Sequence, residues 1–170
     1  MISKENFKEV LEILGFKQKG KNFYEKHFKE QNCDLKVDFE KGELIYPEQI
    51  KKESNTTSNF SQNENFVVFE CVNRLLEKGY KVEHLILEKT WSLGHSGKSG
   101  RADISVFDEN NENILLIIEC KTAGNEYKKA RKDLFDDESG KQLFSYAAQA
   151  RSTKWLDLYA SDFDINKNKA

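Results

Sequence analysis

The sequence predicts an α/β domain, a mixed central sheet flanked by helices, with a small helix-plus-hairpin appendage at its N-terminus. Two observations predict it. A strongly apolar helix pattern over residues 61–79 is followed by three strand-like runs, 85–93, 101–107 and 114–120. The last run, ILLIIEC, is apolar without alternation, as in a strand covered on both faces, so helices belong on both sides of the sheet.

Taken in order, Ser3 is placed to cap a short helix whose apolar stripe is Phe7, Val10, Leu11 and Leu14 and which stops at Gly15. Residues 22–28 and the alternating Leu35, Val37 and Phe39 read as strands. A turn at Glu40-Lys41-Gly42-Glu43 then returns the chain through Leu44-Ile45-Tyr46 to Pro47. Residues 1–47 are thus expected to form the appendage. Residues 48–60 are polar and rich in Ser, Thr and Asn, with Ile50 and Phe60 as the large apolar exceptions, and read as a linker. The main domain is expected over 61–163, with a polar tail at 164–170. It opens on Ser61-Gln62-Asn63-Glu64, a capping-box pattern, ahead of Phe66, Phe69, Val72, Leu75 and Leu76 and a stop at Gly79. Helical patterns return at 127–135 and 140–150, and 155–160 reads as a final strand.

At 170 residues the chain is long enough to bury a core without disulfides or a structural metal. Cys33, Cys71 and Cys120 are odd in number and widely spaced, which disfavours zinc and a disulfide framework. No apolar run approaches a membrane span and the N-terminus lacks a signal-peptide core, so a cytoplasmic protein without membrane association is expected. A net charge of -2 argues against a generally basic nucleic-acid-coating module, so any role on DNA has to come from a local site.

One constellation carries chemistry. In ILLIIECK, Glu119 and Lys121 are two apart and share a strand face. If the turn from Asp108 to Glu112 closes an antiparallel hairpin centred near Asn111, Asp103 stands directly opposite Glu119; a slip of one residue would separate them. Two carboxylates opposed across a ladder repel and call for compensation. Mg²⁺ (or Mn²⁺), held by hard oxygen ligands, supplies it, and Lys121 adds a second positive charge. Such a site suits phosphodiester hydrolysis, with Lys121 orienting water or stabilising developing charge. The plain alternative is a structural ion cluster at a strand end.

These residues resemble the PD-(D/E)XK nucleases, with Gly100-Arg101-Ala102-Asp103 as the aspartate strand and Glu119-Cys120-Lys121 as E-x-K. Residues 61–163 resemble in particular the N-terminal domain family of type I restriction enzyme R subunits, a domain also fused to adenine-N6 DNA methyltransferases. The resemblance implies a restriction-endonuclease-like core and a metal-dependent DNA endonuclease. It also implies double-stranded DNA and helicase/translocase or methyltransferase domains of a restriction complex as partners. It makes Asp103, Glu119 and the Cys120 carbonyl the metal ligands and Lys121 the catalytic lysine. Ala102 stands where the family has proline, which removes no ligand. Gln142 and Tyr146 match the family's Q-x-x-x-Y pair, although Tyr146 would equally pack with Leu143 and Ala150.

Glu70 is either the family's upstream acid or the i, i+4 partner of Arg74. The loop from Gly94 to Gly100 lacks the phosphate-loop pattern and leads into a strand, which excludes an ATPase reading. Lys98 and Arg101 beside it are candidates for the DNA backbone, against a plain solvated glycine hairpin. Lys128, Lys129, Arg131 and Lys132 read as a solvated helix face. Two other functions stay open: a catalytically silent docking or DNA-binding module of the same fold, and a repair or recombination nuclease.

Overall fold

The apolar stripe Phe7, Val10 and Leu11 is completely buried and forms helix α1 (Phe7–Ile13). In this computed structural model, which describes residues 1–93, 98–135 and 150–164, the helix starts after Asn6 and not at Ser3. The Asn6 side chain turns back to accept the Ser3 N–H at 2.9 Å, so no side chain caps the helix itself. Gly15, at φ +83°, takes the left-handed backbone that ends it, and the Phe16 N–H returns to the Leu11 carbonyl at 2.9 Å.

An antiparallel meander follows: β1 (Lys17–Gly20), β2 (Phe23–Phe28), β3 (Cys33–Asp38) and β4 (Glu43–Ile45), in that spatial order. Strand β3 alternates buried and half-buried residues as its sequence predicts. Strand β1 was not expected, because all four of its residues are exposed and leave no alternation to read.

The second sheet has the order β5 (Lys51–Lys52), β6 (Leu85–Leu93), β7 (Lys98–Phe107), β8 (Ile114–Cys120) and β9 (Trp155–Tyr159). Its outer pairs, β5 with β6 and β8 with β9, are parallel, and its inner pairs are antiparallel. Residues 48–60 are therefore more than a linker: they supply an edge strand and bury Ile50. Helix α2 (Asn63–Glu77) is buried over most of its girth, and α3 (Asn125–Phe135) follows β8. Among the described residues the protein is a mixed α/β arrangement of two sheets and three α-helices. None of these helices is long and apolar enough to cross a membrane.

The two sheets do not bury separate cores. Phe7 of α1 packs against Phe66 and Phe69 of α2 at ring-centre distances of 4.5 and 6.1 Å. One apolar cluster runs through α1, the meander, α2 and strands β6 to β8, while Ala102, Ile114, Ile117 and Ala150 form a second, smaller one. The expected boundary at residue 47 is thus crossed by the larger of these two clusters of described residues.

The hairpin between β7 and β8 carries the site. Ile104, Ser105 and Val106 face Ile118, Ile117 and Leu116, the register expected for a turn centred near Asn111. Asn111 adopts φ +58°, and the Asp108 carboxylate accepts the N–H groups of Glu112 and Asn113 at 3.0 and 3.3 Å. That side-chain clamp closes the turn and fixes the ladder beyond it.

Candidate active site

One step beyond the Ile104–Ile118 pair, the register sets Asp103 of β7 against Glu119 of β8. Asp103 Oδ2 accepts the Cys120 N–H at 2.7 Å, a bond across the two strands. Lys121 follows the end of β8, where its N–H bonds the Tyr159 carbonyl at 2.9 Å. Its ammonium lies 2.9 Å from Glu119 Oε1, 3.1 Å from Glu64 Oε2 and 2.9 Å from the Cys120 carbonyl. Glu119 Oε2 is buried and has no hydrogen-bond partner among the described residues.

Glu64 is the residue that sequence reasoning misplaced. The expected capping box is not formed, since α2 is preceded by Gln62 and no side chain caps it. An ammonium offers a carboxylate a stronger, charge-assisted bond than a backbone N–H at a helix start, and Lys121 supplies one.

The acids outnumber the cation, and their ionisation shows it. Burial, reinforced by the charge of Glu119, pushes the Asp103 carboxyl up to about 8, against the opposing pull of the Cys120 N–H and Lys121. Burial also raises Glu119, while Lys121 works to lower it. For Lys121 burial alone would favour the neutral amine, but Glu119, Asp103 and Glu64 together hold its ammonium above the ordinary lysine range. In the ion-free protein, near neutral pH, the Asp103–Glu119 pair therefore retains a proton and Lys121 is charged.

No family model matches the chain, and neither does any curated protein. What the site can do is carried by its own atoms.

Its donor set is Asp103, Glu119, Glu64 and the Cys120 carbonyl, all oxygen, which suits Mg²⁺ or Mn²⁺ better than softer ions. Among the described residues no three His, Cys, Asp or Glu side chains converge as a ready ligand group. Three of these oxygens, from Glu64, Glu119 and the Cys120 carbonyl, converge on the Lys121 ammonium, while Asp103 accepts the Cys120 N–H; an ion entering here would take over oxygens now bonded to Lys121. The buried Glu119 Oε2, unpartnered among the described residues, is the observation that fits such an ion.

The other expected residues are dispersed. Glu70 is fully buried, ion-paired with Arg74, and accepts the Tyr159 hydroxyl at 2.5 Å; of its two readings, the helical pair with Arg74 is formed. Burial and the charge of Glu70 push the Tyr159 phenol above its ordinary range, keeping it a donor. Lys98 opens β7 opposite Leu93. Arg101 is half-exposed, with Nε 2.8 Å from Glu88 Oε2, and lies two residues from Asp103 on the same strand. Gln142 and Tyr146 lie outside the described residues. Glu88 was not expected either; its signal is a single acid inside the apolar start of β6.

Proposed function

We propose that this chain is a metal-dependent DNA endonuclease domain with a restriction-endonuclease-like core, working within a larger restriction-modification enzyme. The observation that supports it most is the meeting of Asp103, in the middle of β7, with Glu119 and Lys121 at the end of β8, in the register the E-x-K resemblance requires. The mixed five-stranded sheet, with antiparallel inner pairs and parallel outer ones, is compatible with that core.

In this reading Asp103, Glu119 and the Cys120 carbonyl hold a Mg²⁺ or Mn²⁺ ion, with Glu64 near enough to join them through Lys121. The ion supplies Lewis acidity toward a phosphate oxygen and lowers the pKa of water. Lys121, charged and anchored at its backbone by Tyr159, reaches the phosphate or the attacking water as a donor of hydrogen bonds and positive charge. Lys98 and Arg101, at the start of β7, meet the DNA backbone. Helicase/translocase or methyltransferase domains are the partners that would bring DNA to the site.

Supercoiled plasmid incubated with Mn²⁺ or Mg²⁺ tests the reading. The wild-type chain should nick it, and Asp103→Ala and Lys121→Ala should each lose at least about a hundredfold in rate. Equal nicking by all three proteins would refute the site. Duplex binding without nicking, alone or with its partner domains, would favour a silent DNA-binding module.

The raised Asp103 carboxyl adds a pH dependence. To ligate an ion Asp103 must shed a proton that it holds up to about pH 8. Mn²⁺ affinity, measured by titration calorimetry, should therefore rise by up to about tenfold per pH unit between pH 6 and 8 and level off above. A flat profile would place the proton elsewhere.

A further inference from the structure

Glu88 is at odds with the strand it occupies. Its side chain is 1% exposed, and its backbone takes φ +59°, left-handed geometry that disfavours any residue with a Cβ. The pairing of β6 with β7 runs from Leu85–Val106 to Leu93–Lys98 and skips only Glu88, at the position facing Asp103. A buried carboxylate at the ladder position facing Asp103 is unfavourable by itself.

Its neighbours impose this arrangement. Just beyond β5, the Glu53 N–H bonds the Leu87 carbonyl at 3.1 Å. The Glu53 carboxylate accepts the Thr90 N–H at 2.8 Å, the Thr90 hydroxyl at 2.7 Å and the Lys89 ammonium at 2.6 Å. The chain is thus pinned on both sides of Glu88. The contact this produces is with Arg101: Nε stands 2.8 Å from Glu88 Oε2, as an ion pair without an aligned hydrogen bond.

Arg101 is two residues from Asp103 on one strand, hence on the same face, and its charge reaches Glu119, which it works to ionise. Its side chain is 47% exposed, so a ligand in solvent can meet it. We propose that Glu88 is a positioning residue, whose buried carboxylate holds the Arg101 guanidinium beside Asp103 and Glu119 for contact with a phosphate of DNA. A planar guanidinium fixed by a carboxylate recognises phosphate with little loss of side-chain freedom. This rests on the nuclease reading above.

The test compares wild type with Glu88→Gly, Glu88→Gln, Arg101→Ala and the Glu88→Gln/Arg101→Ala double variant. It reads plasmid nicking with Mn²⁺, the affinity for a fluorescent duplex with Ca²⁺, and thermal melting. Glycine tolerates φ +59°, so Glu88→Gly should fold without backbone strain, and Glu88→Gln keeps the shape of the side chain. Both single Glu88 variants should lose about ten- to a hundredfold in kcat/KM, as Arg101→Ala does, and the double variant should be no worse than Arg101→Ala alone. Duplex affinity should weaken in parallel. Well-folded Glu88 variants with wild-type nicking and affinity, or losses that multiply in the double variant, would overturn the proposal and leave the nuclease reading standing. If wild type binds duplex without cutting it, equal affinity losses in the Glu88 and Arg101 variants sustain the proposal and undiminished affinity overturns it. A wild-type chain that neither cuts nor binds duplex would overturn both.

Discussion

For the nuclease proposed above, Asp103→Asn is expected to abolish DNA cleavage and yet stabilise the ion-free protein by about 2 kcal/mol at pH 8, the sign pattern of a residue kept for function at the expense of stability. The amide still accepts the Cys120 N–H that Asp103 Oδ2 now accepts, and it carries no charge toward Glu119. The folded carboxyl titrates near 8, while an unfolded aspartate titrates at its ordinary 3.8, so between those values the folded protein binds more protons. Wild-type stability should therefore fall as pH rises through that window, and the advantage of Asp103→Asn should widen from about pH 4 to 8 and stay constant above. Lys121 is charged throughout this range and does not create the slope. Its loss has the opposite sign: Lys121→Met leaves Glu64 and Glu119 without their shared cation and should destabilise the fold by about 3 kcal/mol, also without cleavage. Urea denaturation in EDTA at pH 5 and pH 8 measures both. An Asp103→Asn protein less stable than wild type at pH 8 would mean that the acid pair is structurally satisfied.

The contrast between those two variants was half-visible in the sequence. Local pattern gave the hairpin register at the site, because the Asp108 clamp and Asn111 set the turn, although the ladder shifts by one residue between Val106 and Phe107. It also gave the buried helix α2 and the continuous strand β8, whose apolar content leaves little choice. Strands β1 and β5 were invisible because they are short, polar and exposed, and exist through pairing with β2 and β6. The missed site residues have the same origin. Glu64 obeys a local capping rule until a lysine 57 positions away offers a better partner. Glu88 looks like an ordinary strand acid until Glu53, 36 positions before Lys89, pins the backbone around it. Residues whose partners are distant in sequence carry no local signature, and in this protein those partners complete the acid cluster.

The same reasoning governs residues 1–47, whose deletion is expected to leave the remaining chain unable to fold cooperatively. A separable appendage would bury its own apolar face, but Phe7 instead fills space between Phe66 and Phe69 of α2, and Phe16 packs on Phe69 at 5.8 Å. Polar ties cross the same boundary. Lys26 of β2 bonds Asn73 at 2.8 Å and pairs with Glu77 at the end of α2. Gln31 accepts the Val82 N–H at 2.6 Å and donates to the Tyr80 carbonyl at 2.5 Å, holding the turn that leads into β6. Phe7→Ala alone should cost about 3–5 kcal/mol, a large part of the roughly 5–15 kcal/mol that holds an ordinary domain together. Removing the whole unit would expose that face of α2, and α2 also presents Glu64 to Lys121. The truncated chain should therefore show no cooperative thermal transition by circular dichroism and no nicking, whereas a sharp transition near the wild-type midpoint would make the N-terminal unit a true appendage.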